Sequence, residues 1–409
     1  MYYPRHAEEV VQRLAKRKSV VVLTGARHVG KLTMLRALLP SVTSVMMNHP
    51  LVRLSAIENP SLFFDLYKPP VVVDEIQKVP ELFEYIKDIV DETADKGQFY
   101  CTGSQNFTLM SGVSESLAGR AGIIRLLGLS LREIVQSTYR IPFLPTAGHA
   151  EAVSASMEPL GYDDIVRLIH TGFFPELHQS EGDLDDWQDF YSSYFQTYIE
   201  KDVKDVLRIQ DESAFIKFVR ATAACTGNIL NMSSIAEVCG KDVKTVQAWL
   251  SVLESSGLVY LLQPYHNNFN KRLAKTPKLH FLDTGLACWL LGWNTPEQLV
   301  HGAMWGHIFE SFVFGEVLKS YYNNGIVVPP LYYYRDRERS EIDLVIEQGD
   351  TLHPVEIKTT SDPTSSMVSS FRCLDDIGGK KRGEGAVVCL AKEYLPLRDD
   401  AWIMPAQMV

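Results

Sequence analysis

Little in this sequence comes in clusters. Its six cysteines, Cys101, Cys225, Cys239, Cys288, Cys373 and Cys389, lie far apart, with no C-x-x-C pair and no close group of histidines. That excludes a zinc ribbon or a disulfide framework and fits reduced core residues. No run approaches the roughly 18 apolar residues needed to span a bilayer, and the opening MYYPRHAEEVVQRLAKRK is charged throughout, unlike a secretory leader. A soluble, cytoplasmic protein is expected. Nor is positive charge in excess: 40 Lys and Arg stand against 50 Asp and Glu, a net charge of −10. This excludes a uniformly basic nucleic-acid coat while leaving room for local basic patches. What remains is ordinary globular material, 46% hydrophobic and 22% charged over 409 residues, enough for roughly two to four domains.

Against this background one stretch stands out. The apolar run from Val20 is followed by Gly25, four residues, Gly30 and Lys31, and then by a helical pattern. Glycines let such a loop curl, its exposed N–H groups cradle phosphates, and the lysine supplies a point charge for the outer phosphates. Gly25, Arg27, His28, Val29, Gly30, Lys31, Leu32 and Thr33 are the expected nucleotide-binding set. A second absence appears here. The residue after the lysine should be Ser or Thr, whose hydroxyl holds Mg²⁺, but it is Leu32, and Thr33 comes one place too late, roughly 100° around the helix. ATP and Mg²⁺ are expected as cofactors, with hydrolysis open to question.

Val71 to Val73 form a buried-strand signature ending in Asp74 and Glu75. In a phosphate-loop protein such an Asp sits by Mg²⁺, and the following Glu orients or deprotonates the attacking water. The alternative is a strand end meeting solvent. Gln98 to Thr102 reads as another strand, so Ser104 or Gln105 leaves its end where ligands gather in open α/β sheets, placed to sense a γ-phosphate or merely to cap a helix. Arg120 is a candidate arginine finger in its own or a neighbouring subunit, which would make the chain a homo-oligomer; Arg125 competes for the role, and a plain surface ion pair is the alternative. Strands alternating with helices predict a parallel α/β sheet.

The blocks GARHVGK, VVVDEIQKVPELFEYIK, CTGSQNF and SGVSESLAGR occur in an order that resembles the AAA-type P-loop ATPases of bacteria and archaea with a C-terminal domain of unknown function, number 4143 among such families (DUF4143). The resemblance continues through TGFFPEL, YIEKDVKDV, FLDTGLACWLLG, EIDLVIE and VEIK. It implies an ATPase core, a helical and winged-helix middle and a small α/β restriction-endonuclease-like end. The expected boundaries are 1–140 for the ATPase domain, 141–225 for a linker and helical region, 226–300 for a winged helix-turn-helix and 301–409 for the last domain. Leu32 departs from the family pattern.

Pro142 to Pro159, rich in Pro, Gly, Ala and Ser, is the expected linker. Tyr162 to His170 and Trp187 to Arg208 read as helices, and the stripe Tyr191, Tyr194, Phe195, Tyr198 as core packing. From Ser233 a short helix is followed by Lys241 to Ser256 and by strands at Leu258 to Leu262 and Lys278 to Leu282. The outer face of the second helix carries Lys241, Lys244, Thr245 and Gln247, and the intervening wing Lys271, Arg272, Lys275 and Lys278, residues suited to DNA. Winged helices also dock proteins.

In the last domain, Trp305 to Ser320 is a helix with Glu310 and Glu316, and Leu331 to Arg335 an extended run. Glu341 to Glu347 and Thr351 to Thr360 flank a turn at Gly349. A hairpin turning there sets Asp343 across from Glu356, with Lys358 on the same face as Glu356. Two carboxylates and a lysine on a strand pair can hold a divalent cation and position water for attack on phosphate. The pattern resembles the PD-(D/E)xK nucleases, with Asp343, Glu356 and Lys358 as the cutting centre and Glu310 as an accessory metal ligand. The proline of that motif is absent, Ile342 preceding Asp343. The rival is a nucleotide-sensing regulator or interaction protein with an inactive nuclease-like fold; an RNA-directed nuclease also remains open.

Overall fold

The computed structural model describes residues 2–104, 109, 112–113, 115–179, 184–197, 211–266, 276–336, 340–375 and 377–409. The chain forms two compact units: Met1–Leu129 with Ser255–Gly257 and Tyr321–Val327, and the remainder.

In the first unit, α1 (Glu8–Ala15) leads into β1 (Val20–Thr24), α2 (Lys31–Leu38), β2 (Thr43–Met46), α3 (Pro50–Glu58), α4 (Pro60–Leu66), β3 (Val71–Asp74), α5 (Leu82–Thr93), β4 (Phe99–Gly103) and β5 (Ala121–Arg125). The strands form one sheet in the order β2-β3-β4-β1-β5, and every pair is parallel. This confirms the α/β reading and has a physical cause. β1, β3 and β4 are buried along their whole length, so they need cover on both faces, which the helices between parallel strands supply. Phe63, Phe64, Phe83, Ile86 and Phe99 fill the core, and Phe64 meets Phe99 edge-on at 5.5 Å. Because all strands run one way, the carboxyl ends of β1, β3 and β4 lie at one edge of the sheet.

The second unit begins with α6 (Leu131–Ile134), α7 (Ala147–Ser154), α8 (Tyr162–Thr171), α9 (Leu184–Tyr194) and α10 (Glu212–Ala223). The stretch expected to be a linker is not one. It contains α7, capped by the Thr146 side chain, which accepts from His149 N–H, and Phe143, Ala150 and Val153 are buried. The buried Phe143, His149, Ala150 and Val153 anchor the stretch, while Gly148, Ser154 and Ala155 are exposed. His149 adds a buried polar tie, 3.0 Å from Met408 O and 3.2 Å from Arg132 Nη2. The Tyr191, Tyr194 and Phe195 stripe is core, as expected; Tyr198 and the rest of the expected helix to Arg208 lie outside the described residues.

Then follow β6 (Asn228–Ile229), α11 (Met232–Cys239), α12 (Val243–Ser255), β7 (Val259–Leu262) and β8 (Lys278–Phe281), with an antiparallel three-stranded sheet in the order β6-β8-β7. α12 buries Val246, Trp249, Leu250 and Leu253 on one face. After α13 (Thr284–Leu291) and α14 (Pro296–His301), α15 (Trp305–Tyr322) precedes a mixed sheet of β9 (Leu331–Arg335), β10 (Glu341–Gln348), β11 (Thr351–Ile357), β12 (Lys381–Arg382), β13 (Gly385–Cys389), β14 (Leu395–Arg398) and β15 (Ala401–Pro405). Its order is β14-β15-β13-β11-β10-β9, with β12 beside β11. β11 stops at Ile357, three residues short of its expected end, and Ser365–Leu374 is a 3₁₀ helix. No described helix is long and apolar enough to cross a membrane.

Candidate functional site

Two constellations of charged residues stand out, one in each unit. The first lies at the carboxyl edge of the parallel sheet. β1 ends at Thr24, and Gly25 follows with φ 154°; a Cβ there would fall 2.0 Å from Leu126 O, so only glycine fits. His28 and Gly30 are left-handed, at φ 62° and 87°, and curl the loop into the first turn of α2. Lys31 is the first residue of that helix and is buried. Its ammonium turns back to donate to Gly25 O at 2.9 Å and Ala26 O at 2.8 Å. Burial lowers its pKa to about 8, although Glu75 and Asp74 pull the other way.

Asp74 ends β3 and accepts from the Thr102 hydroxyl of β4. Burial lifts its carboxyl above the usual range, against the pull of Thr102 and with Glu75 adding to the rise. Glu75 follows in the left-handed region, φ 56°, a conformation non-glycine residues rarely adopt. Its Oε2 accepts from Ser104 Oγ at 2.9 Å and Gln77 Nε2 at 2.5 Å. Lys31, Asp74, Glu75 and Ser104 thus lie together at this edge. Thr102 and Gln77 are additions. Thr102 had a signal, the same strand end that pointed to Ser104; Gln77, two residues past Glu75 in a 3₁₀ turn, had none.

The remaining predicted residues are placed differently. Leu32, which has no hydroxyl, is half-buried, and Thr33 is exposed. Arg120 makes a two-point ion pair with Asp91, Nε to Oδ1 at 2.5 Å and Nη2 to Oδ2 at 2.7 Å. That is the surface pair weighed against an arginine finger. Arg125 lies 3.3 Å from the Tyr322 hydroxyl, and Gln105 lies outside the described residues.

The second constellation is built on β8, α15, β10 and β11. The hairpin register runs from Gln348 opposite Thr351 to Leu344 opposite Val355, and Asp343 and Glu356, the next residues at its open end, both lie beside Lys358. Asp343 Oδ2 accepts from Ile357 N–H at 2.9 Å and lies 3.4 Å from Lys358 Nζ. Lys358 also pairs with Glu356 Oε1 at 2.6 Å. Glu310, from α15, does reach this group, but through a residue placed elsewhere by sequence. Lys278, expected in an exposed basic wing, is 2% exposed, and its Nζ lies 2.7 Å from Glu310 Oε1, 3.3 Å from Glu341 Oε1 and 3.5 Å from Asp343 Oδ1. Residue 278 opens β8, and the side chain of this strand residue faces the acids instead of solvent. The other wing residues, Lys271, Arg272 and Lys275, lie outside the described residues.

Burial alone would lower the Lys278 ammonium, but Glu310 and Asp343 outweigh it and raise its pKa, so it stays charged. Burial and the neighbouring Asp343 push Glu310 up to about 8 and Glu356 up to about 7. Among the described residues no group of three or more His, Cys, Asp or Glu is arranged to hold a metal ion. Glu310, Asp343 and Glu356 face ammonium groups.

The first constellation, a glycine loop between strand and helix with a buried lysine and an acid-ended neighbouring strand, defines a P-loop domain. Residues 17–135 match the family model described as "AAA domain", and residues 305–409 match "Domain of unknown function (DUF4143)"; residues 162–297 match a further "Domain of unknown function (DUF8612)". The chain therefore joins an AAA-type P-loop domain to a DUF4143 domain. It is similar to uncharacterized proteins of Mycobacterium tuberculosis and Mycobacterium bovis, each 27% identical over 99% of this chain and 84% of theirs. Among solved structures it is similar to a Walker-type ATPase of Pyrococcus abyssi, 15% identical over 69% of this chain and 94% of that one, TM-score 0.45. AMPPCP-bound DnaA from Aquifex aeolicus is 14% identical over 61% and 85%, TM-score 0.31.

Proposed function

We propose that this chain binds ATP with Mg²⁺ at the Lys31 loop and uses the nucleotide state to control DNA binding by its second unit. The observation that carries the nucleotide half is the convergence of Lys31, Asp74, Glu75 and Ser104 at one sheet edge. These residues fit the cofactor. The loop has the curl that a phosphate cradle needs, and the buried ammonium now on Gly25 O and Ala26 O is free to exchange those carbonyls for phosphate oxygens. Asp74 would hold Mg²⁺, which neutralises phosphate charge when bound. Glu75, oriented by Ser104 and Gln77, would position or deprotonate water. Without a hydroxyl at Leu32, turnover is slow, so the domain serves as a sensor more than a motor.

The DNA half rests on the order helix, strand, helix, helix, strand, strand from α10 to β8, which fits a winged helix. Lys244 and Gln247 are exposed on α12. Lys241 is instead paired with Asp211 at 2.6 Å, and Thr245 is tied to the capping Asp242. A second reading, metal-dependent DNA cleavage, is favoured by the hairpin register that sets Asp343 opposite Glu356. Incubating supercoiled DNA with Mg²⁺ or Mn²⁺, beside Lys358→Ala, tests it: cutting that needs Lys358 would establish a nuclease. For the leading reading, calorimetric titration with ATP is the test. Lys31→Ala is expected to weaken binding roughly 10- to 100-fold, as loss of charge-assisted hydrogen bonds does, and unchanged binding would sink the nucleotide half.

A further inference from the structure

The acids of the C-terminal sheet have the composition of a metal centre and the geometry of something else. Four carboxylates, Glu310, Glu341, Asp343 and Glu356, surround two ammonium groups. Lys358 is partly open to solvent, with 40% of its side chain exposed, whereas that of Lys278 is 3% exposed. Lys278 approaches three of the four acids within 3.5 Å. Asp343 is bridged between the two lysines, one oxygen to each. A divalent ion using Glu310 and Asp343 together would have to occupy the volume that the Lys278 ammonium fills, since oxygen ligands approach such ions to roughly 2.0–2.6 Å. The cluster is also not saturated. Glu356 is 9% exposed, and its Oε2 has no hydrogen-bond partner among the described residues.

We propose that Lys278 is the resident cation of this centre. Its ammonium stands where a divalent ion would bind, so the wild-type chain takes neither Mg²⁺ nor Mn²⁺ there. Removing that charge converts Glu310, Asp343 and Glu356 into a divalent-cation site. The inference stands against the second reading given above: if Lys278 fills this centre, the wild-type chain does not cleave DNA with a divalent ion held there. It does not depend on nucleotide binding, so its failure and that of the ATP reading are separable.

The experiment is Mn²⁺ titration of the full-length, nucleotide-free protein, following free Mn²⁺ by electron paramagnetic resonance. Wild type and Asp343→Asn are expected to bind Mn²⁺ alike. Lys278→Met is expected to gain about one ion per chain, with affinity reduced at least roughly tenfold when Asp343→Asn is added, the scale of losing a group that supports a metal. Added Mn²⁺ should also raise the melting temperature of Lys278→Met and leave that of wild type unchanged.

Wild-type binding that Asp343→Asn removes would overturn the proposal, and this arm needs no lysine variant to fold. A folded Lys278→Met that gains no Asp343-dependent site would overturn it too. If Lys278→Met does not fold, Lys278→Gln combined with Glu341→Gln, which removes one positive and one negative charge together, takes its place under the same criteria.

Discussion

The two charged centres use the same residue types and solve their electrostatics in opposite ways. At the P-loop, Lys31 turns onto backbone carbonyls, and the acids Asp74 and Glu75 are held by neutral donors, Thr102, Ser104 and Gln77. At the C-terminal sheet, Lys278 and Lys358 point straight at the acids. Neutral donors orient a carboxylate without cancelling its charge, so the first centre keeps its attraction for a cation arriving with a ligand. Ammonium groups both orient and neutralise, so the second centre is closed on itself. A list of acids and lysines therefore does not distinguish a binding site from an internal ion cluster; the direction of the lysine does.

Breaking the closed centre should have the largest effect on stability. Lys278→Met leaves buried carboxylates without their cation, and removing one partner of a buried pair costs about 3–5 kcal/mol. Denaturant melts should show this loss, and a change under about 1 kcal/mol would mean the cluster is better hydrated than its burial indicates. At the open centre the Lys31 ammonium, with its pKa lowered to about 8 by burial, is charged below that value and lost above it. ATP affinity should accordingly fall as pH rises through 8, a trend absent in Lys31→Ala.

Glu356 offers a sharper contrast. Its folded pKa of about 7 lies above the ordinary 4.5, so its contribution to stability is fully present below the unfolded value and is lost as pH rises through the folded one. Relative to wild type, Glu356→Gln should gain stability as pH rises from about 4 to about 8. Parallel denaturation curves at both pH values would refute the shift.

Leu32→Thr restores a hydroxyl beside Lys31. A rise in ATP turnover of about tenfold, equal to about 1.4 kcal/mol of barrier, would identify Leu32 as the brake; no rise would mean that metal binding is arranged otherwise. The smallest effect on stability belongs to Arg120→Ala. Its pair with Asp91 is solvent-exposed, so the melting temperature should barely move, while a collapse of ATP turnover would restore the arginine-finger reading.

The P-loop unit was legible because its signals are local. A loop spacing, an acid-ended apolar strand and alternating elements each occupy a few consecutive residues, and a parallel sheet brings their ends to one edge. The hairpin holding Asp343 and Glu356 was legible for the same reason, since a tight turn at Gly349 sets its register. Lys278 was not. It lies 32 positions from Glu310 and 65 from Asp343, and its neighbourhood in sequence is basic, so composition pointed outward while strand packing turned it inward. The helix inside the expected linker was missed because small residues signal flexibility only where nothing packs on them, and here Phe143 and Val153 are buried.

If nucleotide at the P-loop controls DNA binding by the second unit, as proposed above, the two equilibria are coupled. The most direct measurement is the affinity of the full-length protein for a fluorescent DNA duplex with ATP, with ADP and without nucleotide, at one fixed salt concentration, beside Lys31→Ala. The predicted result is a several-fold difference between the ATP and nucleotide-free states that Lys31→Ala abolishes. Equal affinity in all states, with ATP demonstrably bound, would contradict it.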